Sequence, residues 1–403
     1  MKYIVVVGDG MGDYPLKELG GKTPLQAANK PNIDELAKRG CSGLLRTVPD
    51  KYEPGSDIAN LSLLGYDPEL YYPGGRGPIE AASQGVPLKP GDLAFRANII
   101  TVKDGLIKDY SAGKISNADA KQLITECNKS FASKGVEFYH GISYRNLLIL
   151  RSTQIEPSDF KCFAPHDHPD EPYKGLLMQG RDGARPWAEK INKWMLESIN
   201  LFGEHPLGKK LSAREPGLHY MLWVWGPGIK KREMPTLKDK YGWSGVVISG
   251  VDLIKGLGAL AGLKIVDVPG ATAYFDTNFE GKADAALKAL EKDDIAFVHI
   301  EAPDEAGHEG LVKEKVKAIE NIDKRVVGRL LDKLDKKYPG DYRFGFLCDH
   351  ATPIRVRTHT RDPIPFVIAG GKTDSVTRYD EESAKKGGFG LREGCEFMDL
   401  LSK

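Results

Sequence analysis

Three apolar runs in the 403-residue chain each end on side chains able to hold a cation. Residues 3–7 lead into Gly8-Asp9-Gly10-Met11-Gly12-Asp13, residues 295–301 into Ala302-Pro303-Asp304-Glu305-Ala306-Gly307-His308, and residues 344–348 into Asp349-His350. Asp304 and His308 are four residues apart, so a helical turn begun by Pro303 puts both on one face, where they can grip one ion. His359 follows nine residues after His350. Together Asp9, Asp304, His308, Asp349, His350 and His359 supply six oxygen or nitrogen ligands, enough with one more for two cations. Mixed carboxylate and imidazole ligation suits Mn²⁺ or Zn²⁺ better than Ca²⁺. Two such ions ~3.5 to 4 Å apart clamp the attacking and leaving oxygens of a phosphoryl displacement. A nucleophile is available at Pro54-Gly55-Ser56-Asp57, where an apolar helix begins. Ser56 there is either an N-cap or a hydroxyl whose attack and phosphorylation a helix N-terminus would favour.

These residues can meet only if the elements bring them together. Short β-branched or aromatic runs alternate with 3.6-period stretches, the pattern of an α/β domain on a mainly parallel sheet. The expected strands are 3–7, 221–225, 246–249, 295–301 and 344–348, with 365–369 as a sixth. Expected helices cover 33–39, 251–263, 283–291 and 316–334, the last with Ile319, Ile322, Val326, Leu330 and Leu334 on one stripe. In a parallel sheet all carboxyl ends share one edge, which would gather ligands 300 positions apart. Between about Tyr72 and Arg214 the pattern becomes alternating and turn-rich, as in Phe95-Arg96-Ala97-Asn98-Ile99-Ile100. That stretch predicts an inserted α+β domain over 72–214, with 1–71 and 215–403 forming the core.

Composition excludes several classes. Lys plus Arg number 57 against 56 Asp plus Glu, so no bulk field draws nucleic acid or an anionic membrane. No stretch approaches the ~18 apolar residues that span a bilayer. Five scattered cysteines without a C-x-x-C pair argue against a disulfide framework or zinc ribbon, and a reducing cytoplasm is the expected location. An anionic substrate therefore needs local cations.

The order Asp9, Ser56, Asp304-x-x-x-His308, Asp349-His350, His359 resembles the alkaline phosphatase superfamily. Segments GDGMGD (8–13), GSDIANLSLLGYDP (55–68), FRANIIT (95–101), SYRNLL (143–148), KYGWSGVVIS (240–249), HIEAPDEAGHEG (299–310), CDHATP (348–353) and THTRDPIPF (358–366) resemble its archaeal-type cofactor-independent phosphoglycerate mutases. The resemblance implies an alkaline-phosphatase-like α/β core split by an inserted substrate-binding domain. It also implies interconversion of 3-phosphoglycerate and 2-phosphoglycerate through a phosphoserine on Ser56, without bisphosphoglycerate. One divalent ion would be held by Asp304, His308 and His359, the other by Asp9, Asp349, His350 and Ser56. Mn²⁺ is the first choice, with Zn²⁺ or Mg²⁺ as alternatives. Arg76, Arg96, Arg145 and His166 are the implied substrate contacts, and Lys240 is a further catalytic candidate. A homoserine kinase-like phosphotransferase on the same core is the alternative reading. The implied partner is a small phosphoglycerate, with no nucleic acid and no membrane; the oligomeric state stays open.

Overall fold

The computed structural model describes residues 1–230 and 232–403. The chain divides into two compact units, Met1–Tyr72 with Met234–Lys403, and Pro73–Glu233.

The first unit is built on an eight-stranded sheet. Strand Lys2–Gly8 lies between Ile295–Ile300 and Tyr342–Leu347 and is parallel to both. Gly245–Ile248 and then Lys264–Ile265 extend the parallel set beyond Ile295–Ile300. On the other side Ile364–Ala369 runs antiparallel to Tyr342–Leu347 and to Gly40–Arg46, and Gly390–Glu393 closes that edge. Ile4, Val5, Val6, Val7, Phe297 and Val298 are fully buried, as expected of strands covered on both faces. The three ligand-bearing strands are thus immediate neighbours pointing the same way, and their carboxyl ends deliver Asp9, Glu301 and Asp349 to one edge.

Helix Pro31–Arg39 starts with proline at its first turn and ends before Gly40. The expected 316–334 helix is interrupted. Val312–Asn321 and Gly328–Lys337 are joined by a π-helical segment, Ile322–Val327, and the stripe Ile319, Ile322, Val326, Leu330 and Leu334 is buried throughout. Within the π segment, Asp323 accepts from Ile33 N at 2.7 Å and Asn32 Nδ2 at 2.8 Å, tying it to the start of helix Pro31–Arg39.

The second unit holds a five-stranded antiparallel sheet. Leu93–Lys103 pairs with Arg145–Leu150 and Leu106–Asp109, Arg145–Leu150 pairs with Val136–Ile142, and His219–Ile229 flanks Leu93–Lys103. Helices Asn117–Phe131 and Arg185–Glu204 pack on this sheet, around Phe95, Leu123, Trp194, Phe202 and Trp223. The expected strand at 221–225 is present, as part of His219–Ile229, but it belongs to the insert's sheet and not to the core, which corrects the domain boundary near Arg214. The run is a long strand of the insert, and the chain leaves the insert after Glu233. Its apolar composition shows that it is a buried strand but does not select which sheet it joins.

Candidate metal centre and anion site

Gly10 makes the turn after the first strand. It adopts φ +63°, and a Cβ there would lie 2.5 Å from Asp304 Oδ1 and 2.7 Å from Thr352 Oγ1. The loop can therefore close on its neighbours only as glycine. Gly10 N donates to Asp349 Oδ1 at 3.1 Å. Lys315, fully buried, donates to Gly12 O at 3.1 Å, Asp13 Oδ2 at 2.8 Å and Thr352 O at 2.8 Å, pinning this loop to the segment after Asp349.

Two ligand groups gather at the sheet edge. In the first, helix Ala302–Glu309 begins with Pro303 in its first turn and places His308 Nε2 3.2 Å from Asp304 Oδ2. His359 Nε2 lies 3.6 Å from Asp304 Oδ1 and 3.0 Å from His308 Nε2. In the second, His350 Nε2 stands 3.4 Å from Asp9 Oδ1 and 3.6 Å from Asp349 Oδ2. His350 also groups with Asp304 and His359, so the two sets adjoin.

Ser56 is the first residue of helix Ser56–Leu63, but the N-cap is Gly55, so the Ser56 hydroxyl is not the cap. Its hydroxyl is directed elsewhere: Ser56 Oγ lies 3.0 Å from His350 Nε2. Asn60, one turn later, donates to Ser56 O at 2.9 Å and Asp349 Oδ2 at 2.7 Å, locking the helix to the ligand.

These residues fit a pair of divalent cations. Asp9 Oδ1 is buried without a hydrogen-bond partner among the described residues, an orphan that a cation would satisfy. Burial, with the Asp349 and Asp304 carboxylates close by, raises Asp9 above the ordinary carboxylate range. Burial opposes ionisation of Asp304 as well, yet His308 and His359 hold it well below that range. His308 is pushed up to about 9, chiefly by its hydrogen bond to Asp304. A close-packed set of carboxylates and imidazoles that distort one another's titration in this way is a candidate catalytic centre.

Three buried residues behind the centre were not singled out from sequence. His299 Nδ1 contacts Glu301 Oε1 at 3.3 Å, and Glu301 also accepts from Ser249 Oγ at 2.7 Å, Gly250 N at 3.0 Å and Lys282 Nζ at 2.7 Å. Burial opposes ionisation of Glu301, but Lys282 and His299 hold its carboxyl down at about 2. Lys282 is one turn into helix Phe279–Ala289, where sequence alone gives it the look of a solvated side chain; its complete burial is visible only in the structure.

Within the second unit, the expected substrate contacts converge. Burial lowers the His166 imidazole, and although Asp167 opposes this, Arg96, Arg76 and Arg145 add to the lowering. Arg96 pairs with Glu80 and lies 4.7 Å over the Trp225 ring, which is 5.4 Å from the His166 ring. Arg96 Nε and Trp225 Nε1 are buried donors without a partner among the described residues, as an anion-binding site requires. Lys240 is not brought into the Ser56 group. Its ammonium donates to Gly65 O and sits over the Tyr66 and Tyr241 rings, in an aromatic clasp of the first unit.

The sequence profile of the family described as 2,3-bisphosphoglycerate-independent phosphoglycerate mutase matches residues 37–208. A curated relative of that name from Methanosarcina acetivorans is 46% identical over 100% of both chains. One named as a probable 2,3-bisphosphoglycerate-independent phosphoglycerate mutase, from Geobacter sulfurreducens, is 43% identical over 100% of this chain and 99% of its own. Among solved structures, a cofactor-independent phosphoglycerate mutase from Thermoplasma acidophilum matches with TM-score 0.67 at 29% identity, over 100% of this chain and 99% of that one.

Proposed function

Since the chain belongs to the 2,3-bisphosphoglycerate-independent phosphoglycerate mutases, we propose that it interconverts 3-phosphoglycerate and 2-phosphoglycerate through a phosphoserine on Ser56. The observation that carries this reading is the Ser56 hydroxyl, free of any capping role and 3.0 Å from His350 Nε2 among the ligands. Asp304, His308 and His359 would hold one divalent ion and Asp9, Asp349, His350 and Ser56 the other, with Mn²⁺ the favoured metal. When bound, the ions supply charge stabilisation for the equatorial and leaving oxygens of the transferring group and lower the pKa of the serine hydroxyl.

The chain's own residues do the rest. Ser56 Oγ gives up its proton and attacks phosphorus, the O–P bond of the substrate breaks, and the freed glycerate oxygen takes up one proton in place of the one Ser56 released. Asn60 keeps Ser56 aligned through its backbone carbonyl. Arg96, Arg145, Arg76 and His166 supply the fixed donors that a carboxylate and a phosphate need. Glycerate must stay bound while its other hydroxyl attacks the phosphoserine, giving the isomer and regenerating Ser56. Water reaching the phosphoserine would turn the mutase into a phosphatase, so its exclusion is part of the function.

Phosphorus NMR tests the reading directly. Purified protein with Mn²⁺ should convert 3-phosphoglycerate to 2-phosphoglycerate with neither ATP nor bisphosphoglycerate present, and Ser56→Ala should abolish turnover while keeping the fold. ATP-dependent formation of phosphohomoserine without that conversion would replace the mutase with a phosphotransferase. Full turnover by Ser56→Ala would remove the phosphoserine.

A further inference from the structure

His299 is fully buried in the middle of the ligand-bearing sheet, paired in register with Val7, two residues before Asp9. One ring nitrogen is anchored. Nδ1 contacts Glu301 Oε1, and Glu301 is held by Ser249 Oγ, Gly250 N and the buried Lys282 ammonium. Lys282 also donates to the backbone carbonyl of His299 at 3.0 Å, so the imidazole is fixed from both its ring and its backbone. The other nitrogen, Nε2, has no hydrogen-bond partner among the described residues and lies 3.4 Å from Asp9 Oδ2 and 3.6 Å from Asp349 Oδ2.

The two oxygens of Asp9 are therefore divided. Oδ2 faces His299, while Oδ1 faces His350 and has no hydrogen-bond partner among the described residues. A carboxylate can turn about its last bond, and whichever oxygen is engaged behind the centre determines which is left to face the cation. Outer partners of this kind orient metal ligands and commonly change metal affinity 10- to 100-fold when removed. We propose that His299, held by Glu301 and Lys282, is a positioning residue that orients Asp9 and Asp349 toward their cation, and that it does so for this ion only. The first ligand group, Asp304, His308 and His359, is fixed by a different set of contacts: Thr352 on Asp304, Arg357 O on His308 and Pro54 O on His359.

The inference rests on the two-cation reading, and metal titration separates the two. Wild-type protein stripped of metal and titrated with Mn²⁺, with bound metal counted after gel filtration, should take up two equivalents. His299→Leu should weaken one step 10- to 100-fold and leave the other unchanged, the unchanged step also reporting that the variant is folded. His299→Gln, whose amide can still reach a carboxylate, should recover part of the loss. Wild-type protein binding fewer than two ions would overturn the two-cation reading itself. Two wild-type steps with both preserved in His299→Leu, or both weakened equally, would overturn the positioning role alone. A direct Mn–Nε2 bond in a metal-loaded crystal would also overturn it, because His299 would then be a ligand.

Discussion

His308 shows how a ligand's proton competes with its metal. Its hydrogen bond to Asp304, against the opposing effect of burial, pushes the imidazole up to about 9, and the same partner raises His359 despite its burial. At pH 7 a cation entering this group must displace at least one proton, because imidazole binds metal through a free lone pair. The sign follows: lowering pH favours the protonated, metal-free form, and raising pH favours binding until His308 is deprotonated. The apparent Mn²⁺ affinity of the Asp304 group should rise about tenfold per pH unit for each proton released, and level off above about pH 9. Chelator competition across pH, with calorimetry in buffers of differing ionisation heat, measures both slope and proton count. An affinity flat between pH 6 and 8 would mean that His308 is already neutral.

The elements carry these residues into place, and Gly307 marks how tightly. It sits between Asp304 and His308, and a Cβ there would lie 2.4 Å from Thr352 O and 2.8 Å from Thr352 Cγ2. Gly307→Ala must push helix Ala302–Glu309 off the segment that follows Asp349, at a cost of about 1–3 kcal/mol. The expected result is a lower melting temperature with selective loss of the Asp304-group cation, read by thermal unfolding and Mn²⁺ counting; wild-type values for both would show that the contact relaxes freely. Elements also explain what could be read from sequence. The four-residue spacing of Asp304 and His308, the proline before them and the glycines around Asp9 have local physical consequences, and the structure shows these residues together. His299 escaped because its role depends on strand register, namely its pairing with Val7 across the sheet, which no local pattern encodes. Residues 221–225 misled for the same reason: an apolar run announces a buried strand, whereas its partner, Leu93–Lys103, is set by long-range pairing.

At the scale of the whole molecule, the chain interrupts one unit to build another, and the interruption has a simple geometry. It enters the insert at Pro73, and Ile229 N donates to Pro73 O at 2.8 Å, so the segments by which the insert begins and ends lie side by side. Neighbouring ends are what allow a domain to be inserted into a loop of another without distorting either. The insert also has what independent folding needs: a five-stranded sheet, two long amphipathic helices across it, and a core including Phe95, Ile99, Leu148, Trp194, Phe202 and Trp223. Ion pairs close within it as well, with the buried Arg96 on Glu80, and the half-buried Arg151 on the buried Asp92 at 2.8 Å. A domain of this size buries roughly two thirds of its unfolded surface, enough for cooperative stability. A fragment spanning 73–233, produced alone, should therefore show dispersed amide resonances and one cooperative thermal transition, and it should bind no Mn²⁺ with the affinity of the full chain. Fluctuating secondary structure without a cooperative transition would mean that the insert depends on the rest of the chain for its fold.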